Sequence, residues 1–185
     1  MDEAKLVAQI RAGDTTVWSA VVDDYGDRLL RSAYLLTGGS GEAEDLVQET
    51  LLQAAKSVGR FRGESGLYTW LHGILVNVTR THQRRAARTV YMATPEPTEV
   101  VTAEQGGHLD AEATAAAVLT ALRQLSPEHR EVIVLHYYEQ LPVEEIARRT
   151  GVGAGTVKSR LHYARQQLSV LIPPSLNPIA ATHTH

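Results

Sequence analysis

Side chains that can bind a polyanion recur along residues 154–168. Lysine and arginine pair with phosphate oxygens, whereas hydroxyl, imidazole and phenol groups can hydrogen-bond to the edges of bases. Both kinds occur on neighbouring turns here, which predicts a helix whose centre meets bases and whose flanks hold phosphates. A solvated helix face with ordinary charges is the alternative. The predicted DNA-contacting residues are Lys158, Ser159, Arg160, His162, Tyr163 and Arg165.

The elements that must position this helix are predicted within residues 142–168. An apolar stripe at i, i+4, i+7 and i+11 is formed by Val157, Leu161, Ala164 and Leu168. The stripe fixes the opposite face as the exposed one. Gly151 can adopt the positive φ of a tight turn, and Ala147 is small where two helices would cross. Short helix, glycine turn and longer helix together predict a helix-turn-helix.

A second basic surface is predicted within residues 61–88. Its amide and arginines recur at i, i+3, i+7 and i+11, on a different helix face from the apolar residues. The basic face comprises Asn77, Arg80, Arg84 and Arg88, and the apolar stripe comprises Leu71, Ile74, Leu75 and Val78. With a loop rich in Gly and Ser before the helix, this pattern predicts a face for a nucleic-acid backbone beside a pocket. A solvated basic face is again the alternative.

Two aromatic residues lie at the start of the same helix. Trp70 and Tyr68 could stack on unpaired bases. An aromatic residue at helical spacing is more often part of the core, and we predict a structural role for Trp70. The role of Tyr68 stays open between the two.

An acidic helix is predicted at residues 41–58. Glu44 and Asp45 lie in its first turn, and Gln48 and Glu49 follow. The carboxylates suit the positive end of the helix dipole. They would equally suit a basic protein partner.

Composition limits the class of protein. The 185 residues carry a formal net charge of −3 and no cysteine. Disulfides, thiolate metal sites and thiol redox chemistry are therefore excluded, and we expect no metal or cofactor. No apolar run is long enough to span a bilayer and the N-terminus has no signal-peptide core, so we expect no membrane insertion and a cytoplasmic location. No Ser/His/acid set, phosphate loop or metal spacing favours an enzyme.

Charge and periodicity predict an all-α chain of two small helical domains. Net charge alternates along the chain, at −5 for residues 1–59, +5 for 60–88, −5 for 89–122 and +2 for 123–185. Predicted helices span 2–12, 15–36, 41–58, 67–88, 111–125, 127–139, 143–150 and 154–171. We predict domains at 1–88 and 111–172, an acidic flexible linker at 89–110 and a disordered tail at 173–185.

Three motifs resemble the extracytoplasmic-function (ECF) sigma factors of bacterial RNA polymerase. AEDLVQETLLQA (43–54) is similar to the clamp-binding helix of the family, and FRGESGLYTWL (61–71), followed by Asn77, to its promoter-melting segment. The segment from 125 to 168 is similar to its −35-binding domain. The resemblance implies a region 2-like bundle, a region 4-like helix-turn-helix, and initiation at promoters with −10 and −35 elements.

The resemblance also implies partners and residue roles. Implied partners are the β′ clamp and β flap of core RNA polymerase, double-stranded and melted promoter DNA, and an anti-sigma factor, with no obligate homodimer. Polymerase contacts would fall to Asp45, Leu46, Gln48 and Glu49. Contacts to the −10 element and melted DNA would fall to Arg62, Gly63, Glu64, Ser65, Leu67, Asn77, Arg80 and Arg84, and −35 contacts to the residues of 154–168 given above.

This sequence departs from the family pattern at several positions. Tyr163 stands where arginine is common, Ala55 where tryptophan is common and Leu67 where phenylalanine is common. These departures predict an unusual promoter preference. A stand-alone helix-turn-helix regulator is the alternative function, although it leaves residues 41–71 without a role.

Overall fold

The computed structural model describes residues 3–61, 63, 65–92 and 111–172. Within those ranges every regular element is helical, which confirms the all-α prediction. The chain divides into two compact units, Met1–Ala86 and Ala87–His185. The remainder of the predicted linker, 93–110, and the predicted tail, 173–185, lie outside the described residues, so both stay predictions.

The first unit is built from four helices. Their bounds are Glu3–Arg11 for α1, Trp18–Thr37 for α2, Ala43–Ser57 for α3 and Leu67–Met92 for α4, with α4 continuing past the unit boundary. A 3₁₀ turn at Thr15–Val17 precedes α2, because the Asp14 carboxylate accepts a hydrogen bond from the Thr16 N–H at 2.9 Å. Gly38 ends α2 with φ +72°, a conformation that suits glycine.

The core of the first unit is aliphatic with one buried polar pair. Leu29, Leu71 and Leu75 are fully buried. His72 is also fully buried, and its Nε2 lies 2.9 Å from the Ser32 hydroxyl. This hydrogen bond between α2 and α4 lets a polar ring occupy the core.

Within residues 111–172, the second unit contains four α-helices. Their bounds are Ala111–Gln124 for α5, Pro127–Ile133 for α6, Val143–Thr150 for α7 and Ala154–Leu171 for α8. The Ser126 hydroxyl accepts a hydrogen bond from the His129 N–H at 3.3 Å, and Pro127 occupies the first turn. Gly151 ends α7 with φ +68°, which confirms the predicted turn glycine.

Helix boundaries differ from the predictions by three residues or more in three places. The helix predicted at 67–88 continues to Met92, and the helix predicted at 15–36 begins only after the 3₁₀ turn. The helix predicted at 127–139 gives way at Val134 to a π-helical turn ending at Tyr138. There the Glu139 N–H donates to the Val134 carbonyl, five residues earlier, at 3.0 Å. The wider turn lets the Leu141 N–H reach the Leu135 carbonyl before the chain enters α7.

Candidate nucleic-acid and polymerase interfaces

The apolar stripe of α8 is buried as predicted. Val157, Leu161, Ala164 and Leu168 are all at or below 2 % exposure. Because these four residues lie on one side of the helix, the opposite face of α8 points away from the core of the second unit.

The opposite face of α8 carries the predicted DNA-contacting side chains. Lys158, Ser159 and His162 are exposed, while Arg160 and Arg165 are half-buried. Tyr163 is 57 % exposed and stands between two imidazoles, with its ring centroid 5.6 Å from that of His162 and 6.5 Å from that of His129. The face therefore combines an aromatic centre with cations at its edges, a composition suited to a DNA groove.

Two ion pairs on α7 were not predicted from the sequence. The Glu145 carboxylate accepts hydrogen bonds from Arg149 Nε at 2.7 Å and from Arg148 Nη2. These contacts, chiefly the one with Arg149, hold the pKa of Glu145 below its ordinary value against the opposing effect of burial. The spacings i, i+3 and i+4 were the available signal.

The outer face of α3 carries three of the four predicted polymerase contacts. Asp45, Gln48 and Glu49 are exposed, at i, i+3 and i+4. Leu52, which continues this face at i+7, is 56 % exposed and was missed, although its spacing indicates it. The fourth, Leu46, has its side chain buried in the core of the unit, and its polymerase contact stays a prediction.

The basic face of α4 is present on the surface of the first unit. Asn77, Arg84 and Arg88 are exposed and Arg80 is half-buried. The apolar stripe lies inside, with Leu71, Leu75 and Val78 buried and Ile74 half-buried. Val76 is buried as well, beyond the predicted stripe.

The base pocket is predicted in the segment before α4. Gly63 has φ +76° and Ser65 is exposed, whereas Arg62 and Glu64 lie outside the described residues. The Leu67 side chain is only 1 % exposed and packs in the core, and its contact to melted DNA stays a prediction. Its backbone N–H donates to Glu3 Oε1 at 2.8 Å.

Two aromatic residues at the start of α4, Tyr68 and Trp70, pack within the first unit. The half-buried Trp70 ring packs on the buried Phe61 ring, with centroids 5.0 Å apart, which favours the predicted structural role. The Tyr68 ring is also half-buried and lies against Arg28 and His72. Neither ring is fully presented to solvent.

Family comparisons define the class of each unit. The family model described as "Sigma-70 region 2" matches residues 21–89, and that described as "Sigma-70, region 4" matches residues 115–168. The first match contains α3 and the exposed face of α4 described above, and the second contains the helix-turn-helix. The two helical units are thus those of a sigma-70 protein.

Relatives that align along most of this chain narrow the family to which it belongs. The ECF RNA polymerase sigma factor SigW of Bacillus subtilis is 30 % identical over 89 % of this chain and 93 % of its own length. The ECF RNA polymerase sigma factor SigE of Mycolicibacterium smegmatis is 39 % identical over 82 % of this chain. The match spans 60 % of the length of that SigE. The chain belongs to the ECF family of RNA polymerase sigma factors.

A solved structure shows the same fold with a protein partner. The sigma factor RpoE of Bartonella quintana, crystallised with the anti-sigma factor NepR, is 30 % identical and aligns with a TM-score of 0.65. The alignment covers 83 % of this chain and 95 % of RpoE. As a separate finding, none of the helices in the described part of the chain has the length and apolar character needed to cross a bilayer.

Proposed function

We propose that this chain is a dissociable sigma subunit that brings core RNA polymerase to promoters by reading a −10 and a −35 element. The observation that carries the proposal is the face of α8, where the buried stripe turns Lys158, His162 and Tyr163 outward from a helix-turn-helix. Such a helix suits the major groove of duplex DNA. On this proposal α8 binds the −35 element, with Arg160 and Arg165 toward the phosphates.

Attachment to polymerase is assigned to the outer face of α3. Three polar side chains, Asp45, Gln48 and Glu49, lie on the same helix face as the exposed apolar Leu52. Protein interfaces usually combine apolar and polar side chains in this way. This face would bind the β′ clamp, and the second unit would bind the β flap.

Capture of the melted −10 region is assigned to α4 and the segment before it. Asn77, Arg80 and Arg84 would hold the DNA backbone, while Gly63 and Ser65 would border an extruded base. Extruding a base costs a few kcal/mol of unstacking, which contacts in the pocket must offset. Arg62 and Glu64, which lie outside the described residues, stay predicted contacts to the −10 element.

Both units would act from one platform. Binding to polymerase would hold the two DNA-reading faces near one promoter, which raises their effective concentration without a homodimer. A net charge of −3 is compatible with this arrangement, because DNA affinity then depends on local basic faces. The same faces would be targets for an anti-sigma factor, and the chain would work in the cytoplasm without a cofactor or a reaction of its own.

Transcription with purified core polymerase tests the proposal. Fragmented genomic DNA of the source organism is transcribed with and without the protein, and the RNA 5′ ends are mapped. The proposal expects new start sites that share two spaced upstream elements. Tight binding to duplex DNA by the protein alone, with no new start site, would overturn it in favour of a stand-alone regulator.

A further inference from the structure

Helix α1 contacts both ends of the segment that precedes α4. At one end, Arg11 Nη2 donates a hydrogen bond to the Phe61 carbonyl. At the other end, Glu3 Oε1 accepts a hydrogen bond from the Leu67 N–H at 2.8 Å. The two contacts join residues 50 and 64 positions apart in the chain. A single nine-residue helix therefore ties the start and the end of this segment together.

The side chains that make these contacts are held in place. Leu6 and Ile10, one helical turn apart between Glu3 and Arg11, are buried and fix α1 to the unit. The Tyr25 hydroxyl donates to Glu3 Oε2 at 3.2 Å. Burial, followed by the charge of Glu3, raises the pKa of Tyr25, so this hydroxyl stays a donor at neutral pH.

The Glu3 carboxylate lies at the first turn of α4. Leu67 is the first residue of that helix, and its N–H is one of the donors that a helix start leaves without an intrahelical partner. A carboxylate there also interacts favourably with the helix dipole.

We propose that Glu3 and Arg11 are positioning residues that set the two ends of the base-capturing segment, Phe61 and Leu67, for the melted −10 strand. The inference rests on the proposed sigma function and adds to it, because α1 precedes residues 21–89 that match the region 2 family. A segment with free ends would lose backbone conformational entropy for each residue that became ordered around a base. Fixing the ends beforehand reduces that cost.

The test measures single-strand capture by holoenzyme. The probe is a fluorescein-labelled oligonucleotide copied from the non-template −10 region of a promoter mapped with the wild-type protein. Glu3→Ala and Arg11→Ala are each expected to weaken its binding about 10-fold, the effect of losing one charge-assisted hydrogen bond. Glu3→Gln keeps an acceptor oxygen for the Leu67 N–H and should recover most of the affinity.

Two controls separate positioning from general destabilisation. Lys5→Ala, at an exposed position of α1, should bind the probe as the wild type does. Affinity for core polymerase and for a duplex −35 fragment should be unchanged in all variants. A parallel loss of core affinity, or no recovery with Glu3→Gln, would overturn the positioning role.

The outcome also distinguishes this inference from the proposed function. If wild-type holoenzyme binds the probe no better than a scrambled strand, the sigma assignment of α4 fails. If it binds the probe specifically and Glu3→Ala and Arg11→Ala bind equally well, the positioning role is wrong and the sigma function stands.

Discussion

The guanidinium of Arg28 lies over the ring of Tyr68, 3.7 Å from the ring centroid. The same ring contacts the rings of His72 and Tyr25, at centroid distances of 5.7 and 6.1 Å. These contacts join α2 to α4 in the first unit. Tyr68 therefore contributes to folding in its present position, and stacking on a base would require it to leave this cluster.

Replacing the Tyr68 ring tests this structural role. Tyr68→Leu should lower the free energy of unfolding of the first unit by about 1–2 kcal/mol, because it removes a cation–π and an aromatic contact. Tyr68→Phe keeps the ring and should change little. Fluorescence of Trp18 and Trp70, the two tryptophans of the chain, follows denaturant unfolding of this unit. A Tyr68→Leu variant of unchanged stability that bound single-stranded DNA less tightly would instead favour base stacking.

The turn between α7 and α8 depends on the positive φ of Gly151. Gly151→Ala should destabilise the second unit by about 1–2 kcal/mol, because an L residue is strained in the left-handed region. Gly155→Ala is the matched control, since neither glycine has an atom within 4 Å of an added Cβ and only Gly151 has a positive φ. It should leave stability unchanged or raise it by up to about 1 kcal/mol. Hydrogen exchange of the α8 amides measures the stability of both variants. Equal destabilisation by Gly151→Ala and Gly155→Ala would show that the positive φ of Gly151 is not the cause.

The exposed Leu52 should contribute to polymerase binding. Leu52→Ala should weaken binding to core polymerase about 5- to 30-fold, which corresponds to about 1–2 kcal/mol for an apolar side chain buried in an interface. Val22→Ala provides a matched control, because Val22 is an apolar residue that is 46 % exposed on a different helix, α2. Titration of labelled protein with core polymerase measures the affinities. Equal losses of affinity in the two variants would show that Leu52 on α3 does not contact polymerase.

Lys158 should contribute to the salt dependence of −35 binding. Each phosphate contact adds about 0.9 to the slope of log affinity against log salt concentration, because counterions are released from the DNA. Lys158→Ala should therefore reduce the slope measured with holoenzyme on a duplex −35 fragment by about that amount. Lys5→Ala removes an equal charge from the first unit and should leave the slope unchanged. A slope that fell equally in both variants would indicate a general charge effect.

Local signals made most of the fold predictable. Gly151 and the α8 stripe each depend on residues within a few positions of one another, and the structure confirms both. Exposure of the α8 face followed from the stripe. The π-helical turn at Val134–Tyr138 could not be predicted in this way, because the residues before it continue a helical pattern.

Contacts between distant residues could not be predicted. Ser32 and His72 lie 40 positions apart, and their hydrogen bond depends on how α2 packs against α4. The same holds for Glu3 and the Leu67 N–H. Family resemblance assigned roles to Leu46 and Leu67 by position in a motif, but a motif does not show which of its side chains point inward. Both apolar residues serve the core.

The ion pairs of Glu145 should make the stability of the second unit depend on pH. Arg149 and Arg148 lower the pKa of Glu145 in the folded state. Their contribution to stability is therefore fully present at pH above the ordinary glutamate pKa, and it is lost as the pH falls through the lowered pKa. Arg148 is largely exposed to solvent, so we expect only about 0.5–1 kcal/mol from the two pairs. Glu145→Gln should lose that amount near neutral pH and converge on the wild type in acid. Hydrogen exchange of α7 amides across this range measures the difference, with the exposed Glu144→Gln as control. A difference between Glu145→Gln and wild type that stayed constant with pH would show that the ion pairs do not stabilise the unit.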